Sequence, residues 1–123
     1  MDPSPPRTDL SVLIVEDEPL VALLLEEMFL ELGFSHTNTI TNLQEAIQYA
    51  SHEDPSFAIL DLNLQGKETY AVADILAQRS IPFAFASGAQ VGVNRFKAPT
   101  IQKPFSLEDI ERVVGNFFPL SRV

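Results

Sequence analysis

The sequence predicts an α/β fold in which a five-stranded parallel sheet is covered by helices on both faces. Short apolar runs of strand length alternate with longer segments whose apolar residues recur at helical spacing. Most of the strand-like runs are apolar throughout, which is typical of strands buried on both faces of a parallel sheet. The 123 residues suffice for one domain with a substantial core, and the alternation implies right-handed crossovers between strands.

Composition and charge exclude several classes of protein. The chain has no cysteine, which excludes a disulfide scaffold, thiolate metal sites and a cysteine nucleophile. Seventeen acidic residues against eight basic ones give a net charge of −9, so nucleic acid is not expected as a partner. The sequence contains neither an apolar run of membrane-spanning length nor a signal-peptide pattern. We therefore expect a cytoplasmic protein without a membrane partner.

The chain begins with a tail and a buried strand. Three prolines within residues 1–8 predict a flexible N-terminal tail, followed by a domain over residues 9–120. Leu10–Val15 predicts a strand, which stops at the acidic residues Glu16, Asp17 and Glu18. Of these three acids, we interpret Glu18 as a solvated loop charge.

The first helix is predicted from Pro19 to Gly33. Proline is accepted in the first turn of a helix, and glycine suits the left-handed position that ends one. The apolar spacing predicts one buried face, formed by Val21, Leu24, Leu25, Met28 and Leu32. Leu23 and Leu30 project from the opposite side, and two exposed leucines one helical repeat apart indicate a surface for a partner.

The middle of the chain continues the alternation. Phe34–Ile40 predicts a more polar strand near an edge of the sheet, and Thr41 or Asn42 caps the helix that follows. The core positions of that helix are Leu43, Ala46, Ile47 and Ala50. Phe57–Asp61 predicts another buried strand ending on an acid. The third helix carries the apolar residues Val72, Ile75 and Leu76.

The last elements are two strands and a helix. Pro82–Ser87 and Pro99–Gln102 predict the fourth and fifth strands. Between them, Gly88–Ala98 contains two glycines and predicts a short, irregular helix or a loop. Ser106 opens a capping box for a final helix. The core positions of this helix are Ile110, Val113, Val114 and Phe117.

Chemically useful side chains follow the predicted strands: Glu16 and Asp17, then Asp61, Ser87 and Lys103. Because the carboxyl ends of parallel strands meet at one edge of an open sheet, these side chains should share a pocket. Three close carboxylates repel one another, and a divalent cation such as Mg²⁺, or Mn²⁺ as the alternative, relieves that repulsion. Asp61 could then attack a phosphorus atom, with Lys103 and Ser87 contacting phosphoryl oxygens.

The pattern resembles the receiver domain of bacterial two-component response regulators over about residues 9–120. Four segments carry the resemblance: Leu13–Pro19, Ala58–Leu64, Phe85–Gly88 and Lys103–Phe105. The resemblance implies a flavodoxin-like, doubly wound sheet with strand order 2-1-3-4-5 and Asp61 as phosphoacceptor. It implies Mg²⁺ held by Asp17, Asp61 and the backbone carbonyl of Asn63, with Glu16 acting through water. Ser87 and Lys103 would sense the phosphoryl group, and the Lys103–Pro104 peptide bond would be cis.

Four departures from the family pattern concern the acid site and its readout. Glu16 stands where the first acid is often Asp, and Ser87 stands where Thr is common. Phe85–Gly88 resembles the Phe-Ala-Thr-Gly motif of single-domain regulators, but Ala89 and Gln90 do not continue that motif as usual. Thr100 lies where many members carry a switch aromatic. We therefore expect intact phosphorylation chemistry with an unusual readout.

The resemblance implies that the phosphoryl donor is a sensor histidine kinase or a histidine phosphotransfer protein. We expect a single-domain regulator, which acts by protein–protein contact or as a phosphate shuttle or sink, and not as an enzyme. The exposed face of the first helix is our candidate docking surface for the kinase. Three alternatives stay open: a phosphorylation-independent docking module, a receiver fragment of a longer regulator, and an aspartate-nucleophile phosphatase. The phosphatase would need a general acid two residues after Asp61, but this chain has Asn63 there, and an amide cannot serve as that acid. His36 and His52 have no partner at ligand spacing and are interpreted as surface residues.

Overall fold

The computed structural model describes residues 5–89 and 94–119. Within these residues a 3₁₀ helix at Arg7–Asp9 precedes seven strands and four α-helices. The strands are β1 (Ser11–Val15), β2 (His36–Ile40), β3 (Phe57–Asp61), β4 (Asn63–Leu64), β5 (Lys67–Glu68), β6 (Phe83–Ser87) and β7 (Thr100–Gln102). The helices are α1 (Pro19–Glu31), α2 (Leu43–His52), α3 (Tyr70–Gln78) and α4 (Leu107–Phe117).

Five of the strands form one parallel sheet in the order β2-β1-β3-β6-β7. This is the predicted order 2-1-3-4-5 of a doubly wound, flavodoxin-like fold, because β4 and β5 form a separate hairpin. In the register, Val15 pairs with Leu60, and Asp61 pairs with Ala86. The ends of β1, β3 and β6 therefore lie side by side.

The two faces of the sheet bury separate cores, as a sheet covered on both sides requires. Alternate residues of the central strands, such as Val12 and Ile59, pack with Leu25 of α1 and Ile110 of α4. The intervening residues belong to a second core, completed by α2 and α3: Leu13, Val15, Ala46, Ala50, Ala58, Leu60, Val72 and Leu76. Helices thus cover both faces, which confirms the predicted layers.

The predicted buried face of α1 is confirmed at Leu25, which is buried, and at Val21, Met28 and Leu32, which are partly buried against the core, but Leu24 was wrongly assigned to it. Leu24 is 43% exposed, whereas Ala22, Leu25 and Phe29 are buried. The Phe29 ring packs edge-to-face on Phe34 at 5.5 Å between centroids, so Phe29 belongs to the buried face, where the sequence prediction had not placed it. Because leucines occur on both sides of α1, their spacing alone did not separate the exposed Leu24 from the buried Leu25.

Leu23 and Leu30 are exposed, as predicted, at 51% and 66%. Together with Leu20 and Leu24 they form the leucine surface of α1. A smaller difference concerns Phe117 at the end of α4, which was assigned to the core and is 41% exposed.

Arg7 departs from the expected flexible tail, because it is buried in the 3₁₀ helix. Its guanidinium donates hydrogen bonds to the backbone carbonyl groups of Leu32 and Phe118 and to the carboxylate of Glu111. It also lies 5.3 Å from the centroid of the Phe34 ring. These contacts join the N-terminal segment to the ends of α1 and α4, so the ordered domain begins before residue 9.

The segment predicted as a short helix or loop, Gly88–Ala98, shows no helix in its described residues, and residues 90–93 lie outside the described part. The side-chain oxygen of Asn94 accepts hydrogen bonds from the N–H groups of Phe96 and Ala98. The ring of Phe96 packs on Phe85, with centroids 6.0 Å apart. Residues 94–98 therefore form a compact turn that packs against β6.

The remaining boundaries differ little from the predictions. Phe34 is buried but lies before β2, which begins at His36. The side chain of Asn42 caps α2 by accepting a hydrogen bond from the N–H of Glu45, and Ser106 and Asp109 form the predicted capping box of α4. Among the described residues, none of the helices has the length and hydrophobicity that crossing a bilayer requires.

Candidate functional site

The predicted site residues lie at the carboxyl ends of the sheet strands. Glu16 and Asp17 directly follow β1, and the N–H of Glu16 continues the ladder by donating to the carbonyl of Ile40. Asp61 ends β3 and Ser87 ends β6. Lys103 directly follows β7, the last strand of the sheet.

Three carboxylates meet at this edge. One oxygen from each of Glu16, Asp17 and Asp61 lies within 4.8 Å of the others. Glu16 and Asp61 are buried, while Asp17 is half-buried, so the cluster opens to solvent on one side. Glu16 and Asp17, which follow β1, are therefore brought together with Asp61 at the end of β3, as predicted.

Burial raises the pKa of Asp61 to about 6, with the charge of Glu16 as the second cause. The charge of Lys103 and a hydrogen bond from the N–H of Asn63, 3.2 Å from Oδ1 of Asp61, act in the opposite direction. A raised carboxyl pKa means that the negative charges here are only partly compensated by the protein. The cluster is thus a place where a further positive charge is favourable.

Lys103 supplies the positive charge of the site. Its Nζ atom donates a hydrogen bond to Oε1 of Glu16 at 2.9 Å and lies 3.5 Å from Oδ2 of Asp61. Burial lowers the pKa of Lys103, but the hydrogen bond to Glu16 and the nearby carboxylates outweigh it, so the pKa is raised overall. The lysine is therefore held as a cation. The Lys103–Pro104 peptide bond is cis.

Ser87 is buried, one residue beyond the Ala86 that pairs with Asp61. Its Oγ accepts a hydrogen bond from the N–H of Ala89 at 3.1 Å, and its carbonyl accepts one from the N–H of Lys103 at 2.7 Å. The second bond ties the end of β6 to the residue after β7. No acceptor for the hydroxyl hydrogen of Ser87 lies among the residues that the structure describes, which leaves it available to a ligand.

Two residues beside the site had not been identified from the sequence. Thr69 is fully buried, and its Oγ1 donates a hydrogen bond to the carbonyl of Asp61 at 2.8 Å. The N–H of Gln65 donates to Oδ2 of Asp17 at 3.2 Å. Gln65–Gly66 between two short strands is a turn signal that could have revealed the hairpin. Nothing in the sequence pattern marks Thr69.

The residues of the site fit a magnesium ion. Mg²⁺ prefers oxygen ligands and is usually held by one or two carboxylates together with water and phosphate oxygens. Asp17 and Asp61 offer such oxygens, and the burial and the charge of Glu16 that raise the pKa of Asp61 make a cation beside them favourable. Asn63 lies two residues beyond Asp61, at the start of β4. The exposed His36 and His52 lie on β2 and α2, and both belong to the protein surface as expected.

A five-stranded sheet with carboxylates and a lysine at its carboxyl edge is the architecture of a signal-receiver domain. The model of the response regulator receiver domain family matches residues 12–114. The chain therefore belongs to the response regulator receiver domain family, as the sequence motifs had indicated.

Solved structures agree with this assignment. SdrG from Sphingomonas melonis is 34% identical to this chain with a TM-score of 0.76, and the match covers 86% of this chain and 93% of SdrG. The receiver domain of the PhyR response regulator from Erythrobacter litoralis is 28% identical with a TM-score of 0.74, with coverage of 93% and 95%.

A more distant structure shares the fold. The receiver domain of a sensor histidine kinase from Pseudomonas aeruginosa, solved with a magnesium ion coordinated in its active site cleft, is 19% identical with a TM-score of 0.75. That match covers 87% of this chain and 95% of the other. No curated protein sequence matches this chain significantly.

Proposed function

We propose that this receiver domain accepts a phosphoryl group on Asp61 from a histidine kinase or a histidine phosphotransfer protein, in a Mg²⁺-dependent step. The observation that carries the proposal is the position of the Asp61 carboxylate, which lies within reach of two further acids and of the Lys103 ammonium. A nucleophilic carboxylate, a cation site and a fixed positive charge are the parts that phosphoryl transfer to a carboxylate needs.

In the proposed transfer, a carboxylate oxygen of Asp61 attacks the phosphorus of a phosphohistidine. A P–O bond forms while the P–N bond breaks, and the departing imidazole nitrogen keeps the electron pair and takes a proton from solvent. Mg²⁺, when bound, offsets the negative charge of the carboxylates and of the phosphoryl oxygens. The ammonium of Lys103 contacts a phosphoryl oxygen, and the Ser87 hydroxyl donates to another.

The raised pKa of Asp61 also favours a transfer step that depends on a divalent cation. A pKa of about 6 leaves a fraction of this carboxyl protonated just below neutral pH, and a protonated carboxyl is a poor nucleophile. A divalent cation beside it favours the charged form. The Pseudomonas aeruginosa receiver domain solved with magnesium in its cleft supports the choice of Mg²⁺.

The leucine surface of α1 is the proposed docking site for the phosphoryl donor. Leu20, Leu23, Leu24 and Leu30 expose between 43% and 82% of their surface. The N-terminus of α1 follows the acidic loop of Glu16 and Asp17, so this surface borders the site. A helical donor could therefore bury the leucines while presenting its histidine to Asp61.

The output is proposed to be a change in protein contacts or the passing on of the phosphoryl group. Thr100 occupies the position where many family members carry a switch aromatic, and it is only half-buried on β7. The described residues of Gly88–Ala98 follow Ser87 directly, so they are well placed to respond when that hydroxyl contacts a phosphoryl group.

The direct test is labelling by acetyl phosphate, measured by intact mass with and without Mg²⁺. We expect the wild-type protein to gain one phosphoryl group only when Mg²⁺ is present, and Asp61→Asn to gain none. The control Asp54→Asn changes an exposed carboxylate that pairs with Arg79 and precedes β3, at the opposite end of that strand from Asp61, and it should label like the wild type. Binding of Mg²⁺ without any labelling would instead favour a phosphorylation-independent docking module.

A further inference from the structure

The segment between Asp61 and α3 forms a small β-hairpin beside the carboxylate cluster. β4 pairs with β5 in antiparallel register, Asn63 with Glu68 and Leu64 with Lys67. The two turn residues, Gln65 and Gly66, both have left-handed backbone angles, with φ of 52° and 82°. Two successive left-handed residues are the requirement of the tight type I′ turn. The hairpin therefore combines antiparallel strand pairing with the backbone angles of a two-residue turn.

The base of the hairpin is tied to the strand that carries Asp61. Thr69 is the N-cap residue of α3, a position where a hydroxyl commonly accepts a hydrogen bond from the helix. Here its side chain makes no such cap and instead donates to the Asp61 carbonyl at 2.8 Å. The N–H of Thr69 also donates to the carbonyl of Leu62 at 3.3 Å. Thr69 thus closes the loop from the end of β3 to α3.

The tip of the hairpin reaches the other half of the acid site. The N–H of Gln65 donates to Oδ2 of Asp17, a residue 48 positions earlier in the chain. This bond engages one carboxylate oxygen and restricts rotation of the group, while the other oxygen can still face a cation. Between base and tip, Leu64 is buried in the core shared with α2 and α3, which anchors the hairpin.

We propose that the hairpin is a positioning element of the metal site, which fixes the Asp17 carboxylate relative to Asp61. Gln65 acts through its backbone N–H, and Thr69 acts as a positioning residue through its hydroxyl. Groups that hydrogen-bond to metal ligands orient them and raise metal affinity without touching the ion. The inference rests on the proposed function, because it concerns the cation that this function requires.

Mg²⁺ titrations of four variants, followed by amide NMR shifts, test the proposal. Thr69→Val removes the hydroxyl and keeps the side-chain shape, whereas Thr69→Ser keeps the hydroxyl. Gly66→Val strains a backbone angle that β-branched residues avoid, in a place where an added Cβ meets no neighbour. Gln65→Gly keeps the N–H and suits the left-handed turn. We expect the two valine variants to bind Mg²⁺ about tenfold more weakly and the two controls to stay within about twofold of the wild type.

A second measurement covers the case in which Thr69→Val does not fold. Hydrogen exchange should show the Gln65 amide protected in the wild type and unprotected in Asp17→Ala, with the Val15 amide of β1 equally protected in both. Wild-type Mg²⁺ affinity in Gly66→Val, or an unprotected Gln65 amide in the wild type, would overturn the positioning role. Failure of the wild-type protein to bind Mg²⁺ or to be labelled would instead overturn the proposed function.

Discussion

The ammonium of Lys103 lies 2.9 Å from Oε1 of Glu16, which joins the residue after the last sheet strand to the residue after the first. The Glu16 side chain is 1% exposed, so water contributes little to neutralising its charge. The lysine therefore compensates a buried carboxylate while remaining within 3.5 Å of Asp61. One side chain thus stabilises the buried carboxylate and, in the proposed function, also contacts a phosphoryl group.

Removal of the lysine should destabilise the fold. Lys103→Met leaves Glu16 buried without its partner, and we expect the free energy of unfolding at pH 7 to fall by on the order of 3 kcal/mol. The measurement is urea denaturation followed by circular dichroism. Arg112→Ala breaks the exposed pair with Asp109 and should change the same free energy by less than about 1 kcal/mol. Equal losses in the two variants would contradict the role given to the Lys103–Glu16 pair.

The raised pKa of Asp61 predicts that Asp61→Asn is more stable than the wild type at neutral pH. The folded state binds the Asp61 proton more tightly than the unfolded chain, whose carboxyl has a pKa of 3.8. The wild type therefore loses stability as the pH rises from about 4 to about 6, and the loss is complete above the folded pKa of about 6. Asparagine carries no charge and avoids this loss.

Urea denaturation between pH 4 and pH 7.5, without divalent cations, measures the difference. We expect Asp61→Asn to exceed the wild type by about 2 kcal/mol at pH 7 and to approach it near pH 4. A variant that is no more stable than the wild type at pH 7 would show that the carboxylate charge is already compensated.

The leucine surface of α1 predicts a separation of two labelling reactions. Leu23→Ser should slow phosphoryl transfer from the histidine kinase that labels the wild type, because the variant loses apolar area at the proposed docking site. Labelling by acetyl phosphate should stay unchanged, since this small donor needs no docking surface. The control is Ala71→Ser, which alters an exposed residue of α3 on the opposite face of the sheet and should leave both labelling rates unchanged. Equal slowing with both donors would count against docking at α1.

A phosphoryl mimic should perturb the segment after Ser87. Beryllofluoride with Mg²⁺ should shift the amide resonances of Gly88, Ala89 and residues 94–98 in heteronuclear NMR spectra. Asp61→Asn under the same conditions should show no such shifts, because it lacks the carboxylate to which the mimic binds. Unchanged resonances in the wild-type spectrum would exclude this segment from the switch.

The sequence was informative where a local pattern determines the structure. Apolar runs located the strands, and because parallel strands end at one edge, the meeting of Glu16, Asp17, Asp61 and Lys103 could be predicted. The capping residue Ser106 was identified for the same reason, and the cap of α2 was narrowed to Thr41 or Asn42, of which Asn42 is the cap, since a cap acts within its own first turn.

Features that depend on distant contacts were missed or wrong. Leu24 was assigned to the buried face of α1 and Phe29 was not, because the leucine spacing does not reveal the contact between Phe29 and Phe34. Arg7 forms hydrogen bonds with groups from two helices. Thr69, at the N-cap of α3, does not cap the helix with its side chain and donates a hydrogen bond to the Asp61 carbonyl instead. These interactions join residues whose spacing in the sequence follows no period, so only the folded chain displays them.

Mapping the phosphoryl group to a residue of the chain tests directly whether Asp61 is the phosphoacceptor. Borohydride reduces an aspartyl phosphate to homoserine, and peptide mass spectrometry after labelling with acetyl phosphate and Mg²⁺ then identifies the modified position. The proposed role of Asp61 as phosphoacceptor predicts homoserine at residue 61 in the labelled protein and aspartate there in an unlabelled control. Homoserine at another acidic residue, or at none, would contradict it.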